Sequence, residues 1–593
     1  MNSSICRPNI GVVAGAITSF AAMMTFALRG APITEGWWHV YAIWIAEGRT
    51  PYQDFELLVP PGYPLFLRLL MGVGFDSFFS LRIIGAAGCA AISAVLHLTF
   101  KHFIPSGLAW LISLCSLLVL AQGSAFITYD YDQVAALLLV GTVYMAQVSV
   151  LSIGQHASGK AIYAPFIAAI LAGSCFLIKT SIGFAAAMTL VALGFSAWRA
   201  GVQNFVRRMF LPLGAGFALP LVAVGCWLFS RGALTVGLHS TLGGAVAKGG
   251  IGKMLTRSLL MFRVGTIQEA VLLVAPFLML SILLSSLSAF RSNNDLRRRG
   301  ATTTGLFTLF SLISTVGVSV VSCALFWRSF FDAIVSYSIV PSVFAPLLLL
   351  GVRSLRTLAI APLAVAAASS SVATMWSAGL SPMGRFLPVG LMLLILFRLL
   401  HGTLSARLML IVISSILSIG TIAHKREIPY SWWFVESDLA GLTLPVQSGL
   451  AEGLVDSVEN VALLSSISSR VPTKDRCVGE SVHFPHIPQV LLNLGETPGG
   501  RLGQYWFDFS SSREVELERS RLASVKVRSI SILELPSEVS NQHRRLFGAS
   551  QTEQLDALRE DLVARGTGEM AAVLDEELAS GARLKIFVDP NCL

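Results

Sequence analysis

The acidic residues of the first 424 positions are few, and several stand where their side chains could do chemistry. Glu35 follows the first apolar run, Asp54 lies further along the same loop, and Asp130 and Asp132 are two residues apart. A carboxylate held in a protein pocket at membrane depth has a raised pKa and is a useful general base. Two acids on one turn suit a divalent ion or the hydroxyl groups of a sugar; a solvated loop with Asp132 as a helix N-cap is the alternative.

The composition indicates the class of molecule that must position these groups. The chain has 593 residues, of which 54% are hydrophobic and 13% are charged, against about 25% charged in soluble proteins. This deficit excludes a soluble globular enzyme, a disordered protein and a nucleic-acid-binding module as the main identity. The net charge of +9 is more typical of a membrane protein with basic cytoplasmic loops than of a partner of nucleic acid.

Apolar runs recur along the first 424 residues and predict an α-helical polytopic membrane protein with about 13 transmembrane helices. The first run has no small-residue cleavage site, so it is expected to remain as an anchor. The predicted spans lie near residues 10–28, 82–100, 106–122, 133–151, 162–178, 182–198, 209–229, 269–290, 302–325, 336–351, 357–377, 386–400 and 408–423.

The distribution of charge predicts the orientation and a second domain. With the N-terminus in the cytoplasm, the basic loops fall inside, because positive residues resist translocation. Nine of the ten acids before residue 425 then fall in or beside outer segments. The other 24 acids lie in residues 425–593, which predict an extracytoplasmic α/β domain after the transmembrane body of residues 1–424. Its pattern predicts helices at 450–469, 552–564 and 568–580 and strands at 529–535 and 583–588.

The first outer loop, residues 29–81, is the most informative stretch of the chain. It contains the sequences TEGWWH at 34–39, GRTPYQDFE at 48–56 and PPGYP at 60–64. Aromatic and apolar residues at helical spacing over 36–47 predict an amphipathic helix at the membrane interface, and 64–75 predicts a second one.

These features resemble the GT-C superfamily of polytopic glycosyltransferases, which use polyprenyl-phosphate-linked sugars. The shared pattern is an acid just after the first span, two interfacial helices, the stretch G-x-x-P-Y-x-D-F and the stretch P-P-G-Y-P. The nearest members are the bacterial protein mannosyltransferases and aminoarabinose transferases. The resemblance covers residues 10–200 and is mostly topological from there to residue 424.

The resemblance implies a general base in the first outer loop. Family members commonly have two acids in the first motif, and the first acid is the usual base; this chain has Thr34 there, followed by Glu35. Glu35 is therefore the expected base, with Asp54 as the other candidate, and a dipole-stabilising cap of the interfacial helix is the structural alternative for Glu35. The residues expected to contact substrate are Asp130, Asp132, Tyr63 and Trp38.

Two basic residues on the outer side are expected, from the same resemblance, to contact the donor phosphate. Lys179 follows the fifth predicted span, and Arg385 opens the twelfth. A departing polyprenyl phosphate needs a cation to neutralise its developing charge. The alternatives are a lysine that snorkels to the interface and an arginine that anchors the helix there.

Metal and disulfide chemistry are less strongly indicated. No firmly bound metal is expected, and a divalent ion at the paired acids of the second outer loop stays open. His483 and His486 are three residues apart and indicate a packed turn more than a metal site. Cys477 and Cys592 are the cysteines of the predicted outer domain, where an oxidising compartment would allow them to pair.

The sequence therefore predicts a membrane hexosyl- or pentosyltransferase. It would move a sugar, with inversion, from a polyprenyl-phosphate donor to an acceptor hydroxyl at the outer face of a bacterial inner membrane. No cofactor is expected; the partners are the lipid-linked donor, a glycan, lipid or protein acceptor, and membrane lipids, with no nucleic acid. The alternatives are a transporter or flippase of lipid-linked sugars, and a non-catalytic scaffold, which the loss of the usual acid at Thr34 would suit.

Overall fold

A computed structural model of the chain shows a helical body followed by a small α/β unit. Among the described residues, the regular elements up to residue 427 are helices, and strands follow from residue 444. The residues that the structure describes are 10–122, 126–153, 160–202, 204–247, 346, 354, 358–377, 382–399, 404–427, 441–475, 477–505, 511–538, 540–541, 549–578 and 581–593.

The body is built from apolar helices, each of which satisfies its own backbone hydrogen bonds, as a chain inside a membrane requires. Short π and 3₁₀ turns at Val206–Phe210 and Pro382–Gly384 precede two of them. The helices are α1 (Ile10–Ala27), α2 (Trp37–Ala46), α3 (Gly62–Gly72), α4 (Phe78–Phe100), α5 (Ser106–Ala121), α6 (Tyr131–Ile153), α7 (Lys160–Ile178), α8 (Thr180–Arg199), α9 (Leu211–Ser230), α10 (Leu234–Ala247), α11 (Ala361–Ser377), α12 (Phe386–Leu399) and α13 (Leu404–Glu427).

Five of the described helical stretches are long and apolar enough to cross a membrane, judged by length and composition. The expected spans at 269–290 and 302–325, and nearly all of 336–351, lie outside the described residues. The total of about 13 spans therefore stays a prediction. The five stretches are Ile10–Ala27, Phe78–Phe100, Tyr131–Ile153, Thr180–Arg199 and Val206–Ser230.

Helices α4 to α8 pack beside one another and bring three connections together. α4 packs on α5 and α6, α6 packs on α7 and α8, and α11 covers α8. A chain that crosses the body in one direction through one helix and in the other direction through the next returns to the end from which it started. The first outer loop, the connection before α6 and the junction between α7 and α8 therefore share one end of the body.

Helix α2 differs from the amphipathic interfacial helix that the sequence predicted. It lies at the expected place, but eight of its ten residues are buried. The α/β unit covers it: the His486 ring lies 6.0 Å from the Trp37 ring, and Gly503 packs against Tyr41. The sequence did not predict this burial, because a pattern within one segment does not show which distant segment will cover it, and the position at the membrane interface stays a prediction. α3 keeps an exposed side that includes Leu69, as expected for an interfacial helix.

The residues after 440 form a four-stranded sheet with helices against it. The elements are β1 (Leu444–Pro445), β2 (Val455–Asp456), α14 (Val458–Arg470), β3 (Glu480–Phe484), α15 (Pro488–Leu492), α16 (Ser512–Ser524), β4 (Val527–Glu534), α17 (Ala549–Glu569), β5 (Ala571–Glu577) and β6 (Arg583–Val588). The strand order is β3-β4-β6-β5, with β3 parallel to β4 and the other pairs antiparallel. β1 and β2 form a separate antiparallel pair.

Successive side chains of a strand point to opposite faces, so the sheet has an apolar core on each side. Ile586 packs with residues of α14 and α15, such as Ile467. The next residue, Phe587, packs with residues of α16 and α17, such as Leu522 and Leu558. The helices on both faces therefore fix the sheet between them.

Two predictions for this unit need correction, while the strands near 529–535 and 583–588 lie where they were expected. The stretch 568–580 was predicted as a helix but forms β5, in which Leu574 pairs with Ile586 of β6. Ala, Leu and Glu favour a helix locally, and the cross-strand partners outweigh that preference. The predicted helix at 450–469 begins only at α14, where the Ser457 hydroxyl accepts a hydrogen bond from the Asn460 N–H.

The α/β unit is tied to the first outer loop. The Ala31 N–H donates to the Asp456 carboxylate at 2.9 Å, and Arg49 donates to the Gly500 carbonyl. The Ser511 N–H, at the start of α16, donates to the buried Glu56 carboxylate at 3.1 Å. Burial raises the pKa of Glu56 to about 7. These contacts place the α/β unit at the same end of the body as the first outer loop.

Cys477 and Cys592 form a disulfide, a pairing that the sequence left open. Their Cα atoms are 5.4 Å apart, and 115 residues separate them along the chain. The bond joins the segment before β3 to the last turn of the chain, Pro590–Cys592. Disulfides persist in oxidising compartments, so the bond agrees with the predicted outer position of this unit.

Candidate functional site

Aromatic side chains from three elements meet at the end of the body that carries the first outer loop. The Trp38 ring of α2 lies 5.1 Å from the Tyr63 ring of α3 and 5.1 Å from the Tyr131 ring, which begins α6. The Tyr63 and Tyr131 rings are 6.1 Å apart, and Trp37 lies 6.1 Å from Tyr131. These four rings, of Trp37, Trp38, Tyr63 and Tyr131, are the aromatic cluster.

Two glycines allow the elements to approach this closely. At Gly62, in the P-P-G-Y-P stretch, a Cβ would lie 2.5 Å from the carbonyl oxygen of Leu177, near the end of α7. At Gly85, in α4, a Cβ would lie 2.5 Å from the backbone nitrogen of Tyr129. A larger side chain at either position would push α3 from α7, or the connection before α6 from α4.

An ion pair lies against the aromatic cluster. Lys179 pairs with Asp132, although 47 residues separate them along the chain. Its Nζ also lies 3.4 Å from the Tyr131 hydroxyl and 4.4 Å from the centroid of the Tyr131 ring, a position in which an aromatic face attracts a cation. Lys179 has extended backbone angles between α7 and α8, so the chain turns at this residue.

Asp130 lies beside this ion pair, and Asp130 and Asp132 together are the acid pair. The Tyr131 backbone N–H donates to the Asp130 carboxylate at 2.7 Å. Burial and the neighbouring Asp132 carboxylate raise the pKa of Asp130. The Asp130 side chain is half-buried, and the Trp38 indole faces it. The acid pair therefore combines one carboxyl group whose pKa is raised with one carboxylate that is held by a lysine.

Glu35 belongs to a separate, fully buried network. Arg82, at the start of α4, donates from Nε to one oxygen of Glu35 at 3.1 Å and from a second nitrogen to the other oxygen. The Tyr129 hydroxyl donates to Glu35 at 3.0 Å. Arg82 also donates to the carbonyls of Ala27 and Arg29 at 3.0 and 3.2 Å, and so fixes the end of α1.

Tyr129 connects this network to the acid pair. Its hydroxyl binds Glu35, its carbonyl accepts a hydrogen bond from the Tyr63 hydroxyl, and Asp130 follows it directly in the chain. Sequence reasoning named Glu35, Tyr63 and Asp130 but missed Tyr129 and Arg82. The missed signal was the arginine at the start of a predicted span, because a charge at such a position needs a buried partner.

The other two predicted site residues lie apart from these contacts. Asp54 is exposed, its carboxylate accepts from the Thr50 N–H at 2.6 Å, and its carbonyl accepts from Arg49 at 3.1 Å. These are contacts within its own turn. Arg385 is half-buried at the start of α12. Glu56, which the sequence did not single out, lies two residues after Asp54 and is buried.

Metal binding stays undecided. Among the described residues, no three His, Cys, Asp or Glu side chains come together as metal ligands would. The acid pair already gives one of its oxygens to Lys179. His483 and His486 are buried in the α/β unit, and burial lowers their pKa values to about 4 and about 3. No step is assigned to a metal ion.

Comparisons with known proteins give matches to solved structures. No family model matches the chain, and no curated protein sequence is significantly similar to it. The oligosaccharyltransferase of Archaeoglobus fulgidus, in complex with zinc and sulfate, matches 92% of this chain and 70% of its own, with 12% identity and a TM-score of 0.49. AglB of the same archaeon, with an inhibitory peptide and a dolichol-phosphate, matches 97% and 74%, with 11% identity and a TM-score of 0.47.

A further structure of the Archaeoglobus fulgidus oligosaccharyltransferase, tethered to an acceptor peptide, matches 92% of this chain and 72% of its own. Its identity is 11% and its TM-score 0.42. The matched proteins are oligosaccharyltransferases. The similarity is modest, so the roles of individual residues rest on the contacts of this chain.

Proposed function

We propose that this protein is a membrane glycosyltransferase that moves a sugar from a polyprenyl-phosphate donor to an acceptor hydroxyl. The observation that carries the proposal is the meeting of Lys179, the acid pair and the aromatic cluster at one end of an apolar helical body. A lipid-linked sugar phosphate needs a cation, a base, a surface for the sugar and an apolar environment for its lipid. Each of these requirements has a group at this end of the body.

Tyr131, the half-buried ring of the aromatic cluster, supplies the surface for the sugar. Binding sites for small molecules combine aromatic walls with a few polar groups that fix orientation. Trp38 and Tyr63 are buried beside the half-buried Tyr131, so the rings are held in place by packing before any ligand arrives. The acid pair lies at the edge of these rings, where it can accept hydrogen bonds from sugar hydroxyl groups.

Lys179 supplies the cation for the phosphate. It directly precedes α8, and the N-terminus of a helix favours an anion through its dipole and free N–H groups. A positive charge fixed at this point stabilises the negative charge that develops on the departing phosphate. Arg385 is retained as the second candidate for this contact.

The acid pair supplies the base. The acceptor oxygen forms a bond to the anomeric carbon of the sugar, and the bond from that carbon to the phosphate oxygen breaks. The electron pair of the broken bond leaves with the polyprenyl phosphate, while the proton of the acceptor hydroxyl moves to the acid pair. Attack on the face opposite the phosphate inverts the anomeric carbon. A carboxyl group with a raised pKa, such as that of Asp130, is well matched to proton transfer near neutral pH.

Glu35, the base expected from the sequence, takes a different part in this proposal. Its two oxygens are occupied by Arg82 and Tyr129, so it holds Tyr129 and the neighbouring acid pair in position. Asp54 stabilises its own turn. The prediction that Glu35 is the base stays open to the experiment argued in the Discussion.

The proposal is tested by following lipid-linked sugars in cells of the source organism. A strain without this protein is expected to accumulate one polyprenyl-phosphate-linked sugar and to lose one envelope sugar, both measured by mass spectrometry. The wild-type chain reverses both changes. Asp130→Asn and Lys179→Gln each reduce the restored transfer at least about a hundredfold, because each removes a group that acts at the reacting centre.

Lys526→Gln is the matched control, because it removes an exposed lysine of the α/β unit that is paired with Asp589. It is expected to restore transfer in full. Full restoration by Lys179→Gln would contradict the proposal. If the lipid-linked sugar instead accumulates only on the cytoplasmic side and its chemistry is unchanged, the protein is a transporter.

A further inference from the structure

We propose that Asp132 occupies the phosphate site at Lys179 while no donor is bound. The donor phosphate then replaces Asp132 at Lys179, and Asp132 joins Asp130 as an unpaired carboxylate. The inference rests on the proposed function, because it requires a phosphate at Lys179. It adds that the bound donor itself frees the group that receives the proton. Donor binding would then precede productive acceptor binding.

The first support is that this ion pair is accessible. The side chains of Lys179 and Asp132 are 14% and 25% exposed. The pair between Arg82 and Glu35, in contrast, has side chains that are 4% and 0% exposed. An incoming anion can reach Lys179, whereas it cannot reach Arg82 without opening the core.

The second support is the balance of charge. Because water reaches part of this ion pair, solvent screens it more than it screens the buried pair of Arg82 and Glu35. A phosphate has more negative charge than a carboxylate and more oxygen atoms to accept hydrogen bonds, and charge-assisted bonds of this kind are strong. The nearby N-terminus of α8 favours the more highly charged anion as well. The replacement of Asp132 by a phosphate at Lys179 is therefore favoured in free energy.

The third support is that Lys179 keeps its place when Asp132 leaves. The Tyr131 hydroxyl lies 3.4 Å from its Nζ, and the Tyr131 ring lies beneath it. Both contacts are independent of Asp132. Lys179 therefore does not have to move in order to bind the phosphate.

The consequence concerns the acid pair. While Lys179 holds Asp132, its positive charge also opposes the rise in the pKa of Asp130 that burial and Asp132 cause. When the phosphate takes over Lys179, Asp132 loses its counter-charge while Asp130 stays nearby, and the repulsion between the two carboxyl groups raises their affinity for a proton. The acceptor hydroxyl supplies that proton.

The experiment measures binding of a sugar-free polyprenyl phosphate to the full chain in lipid nanodiscs by native mass spectrometry. Asp132→Asn removes the internal competitor, so it is expected to bind the probe more tightly, by about five- to tenfold. Lys179→Gln is expected to lose at least about tenfold in affinity. In the Lys179→Gln background, Asp132→Asn is expected to have no effect, because the two changes act through one contact.

Asp561→Asn is the matched control, because it removes the aspartate of an exposed ion pair with Arg519 in the α/β unit. It should leave the affinity unchanged. Asp132→Ser provides a second variant, and thermal unfolding shows whether either variant folds. A measurement on the wild-type chain needs no variant: the probe should increase the reaction of Asp132 with a water-soluble carbodiimide, whereas an ordinary ligand protects the residues near it.

The outcomes separate this inference from the proposed function. If Lys179→Gln leaves the affinity unchanged, the phosphate does not bind Lys179 and both fail. If Lys179→Gln weakens binding but Asp132→Asn also weakens it, and the probe protects Asp132 from the carbodiimide, the proposed function stands and this inference is overturned.

Discussion

Glu35 and Asp132 are carboxylates that each pair with a cation. Their surroundings differ, and so do their proposed roles. Arg82 binds both oxygens of Glu35 in a buried site. Separation of a buried ion pair leaves two uncompensated charges and has a high free-energy cost. Lys179 holds Asp132 at a partly exposed site beside rings and a second acid. Environment, more than residue type, decides which carboxyl group can exchange partners and receive a proton.

The substitution Glu35→Gln tests this division. Removal of one partner leaves Arg82 as an uncompensated buried charge, so the free energy of unfolding should fall by about 3–5 kcal/mol. The double substitution Glu35→Gln with Arg82→Met should recover part of that loss. Thermal unfolding of the purified chain in lipid measures both effects.

The transfer activity of the same variants separates an anchor from a base. An anchor predicts that activity falls together with stability and is partly restored in the double variant. If Glu35→Gln kept wild-type stability and abolished transfer, Glu35 would be the base that the sequence predicted, and the acid pair would lose that role.

At the scale of elements, the sequence predicted which segments would meet but not what they would bind. The alternation of apolar runs placed residues 29–81, Asp130 and Lys179 at one end, and the structure brings Trp38 into contact with Tyr63 and Lys179 into contact with Asp132. That part was predictable because helix crossings fix the sides of their connections. The partners Arg82 and Tyr129, and the strand at 571–577, depend on long-range packing that local patterns do not contain.

Glu56 is the second acid that only the tertiary structure distinguishes, and it predicts a pH effect on the joint between the first outer loop and α16. Its pKa is raised to about 7 by burial, with Glu514 adding to the shift and Ser511 and Arg501 opposing it. The protonated form is therefore favoured in the folded state. The contribution of Glu56 to the free energy of unfolding should be largest below about pH 4.5. It should decline as the pH rises through 7, by up to about 3 kcal/mol.

The measurement is the protection of the joint against proteolysis and heat between pH 5 and pH 8. Glu56→Gln should remove most of the decline, since glutamine stays neutral throughout. Glu516→Gln, an exposed acid on the same helix, should leave the decline as it is in the wild type. A decline of the same size in both variants would show that Glu56 is not its source.

The disulfide between Cys477 and Cys592 predicts a redox dependence of the α/β unit. Its removal by Cys592→Ser should lower the stability of that unit by about 2–5 kcal/mol, because the bond closes a long loop. Alkylation of the denatured, unreduced chain should leave Cys477 and Cys592 unmodified, and prior reduction should expose both. Cys226, exposed and free, serves as the internal control. Modification of Cys477 without reduction would contradict the bond.

At the scale of the whole molecule, contacts and charge together determine where the site faces. The α/β unit binds the first outer loop through Asp456 and Glu56, so both must lie on the same side of the membrane. The basic loops predict that this side is outside, and the disulfide agrees with an oxidising compartment there. A site on that side meets lipid-linked sugars and is separated from cytoplasmic nucleotide sugars.

Fusions with alkaline phosphatase, which is active only outside the cytoplasm, test this orientation. A fusion to the last residue should be active, and so should one at residue 57, in the first outer loop. A fusion at residue 103, between α4 and α5, should be inactive, because one helix crossing separates it from that loop. The reverse pattern would place Lys179 and the acid pair in the cytoplasm, where nucleotide sugars are within reach, and a polyprenyl-phosphate donor at the outer face would no longer be tenable.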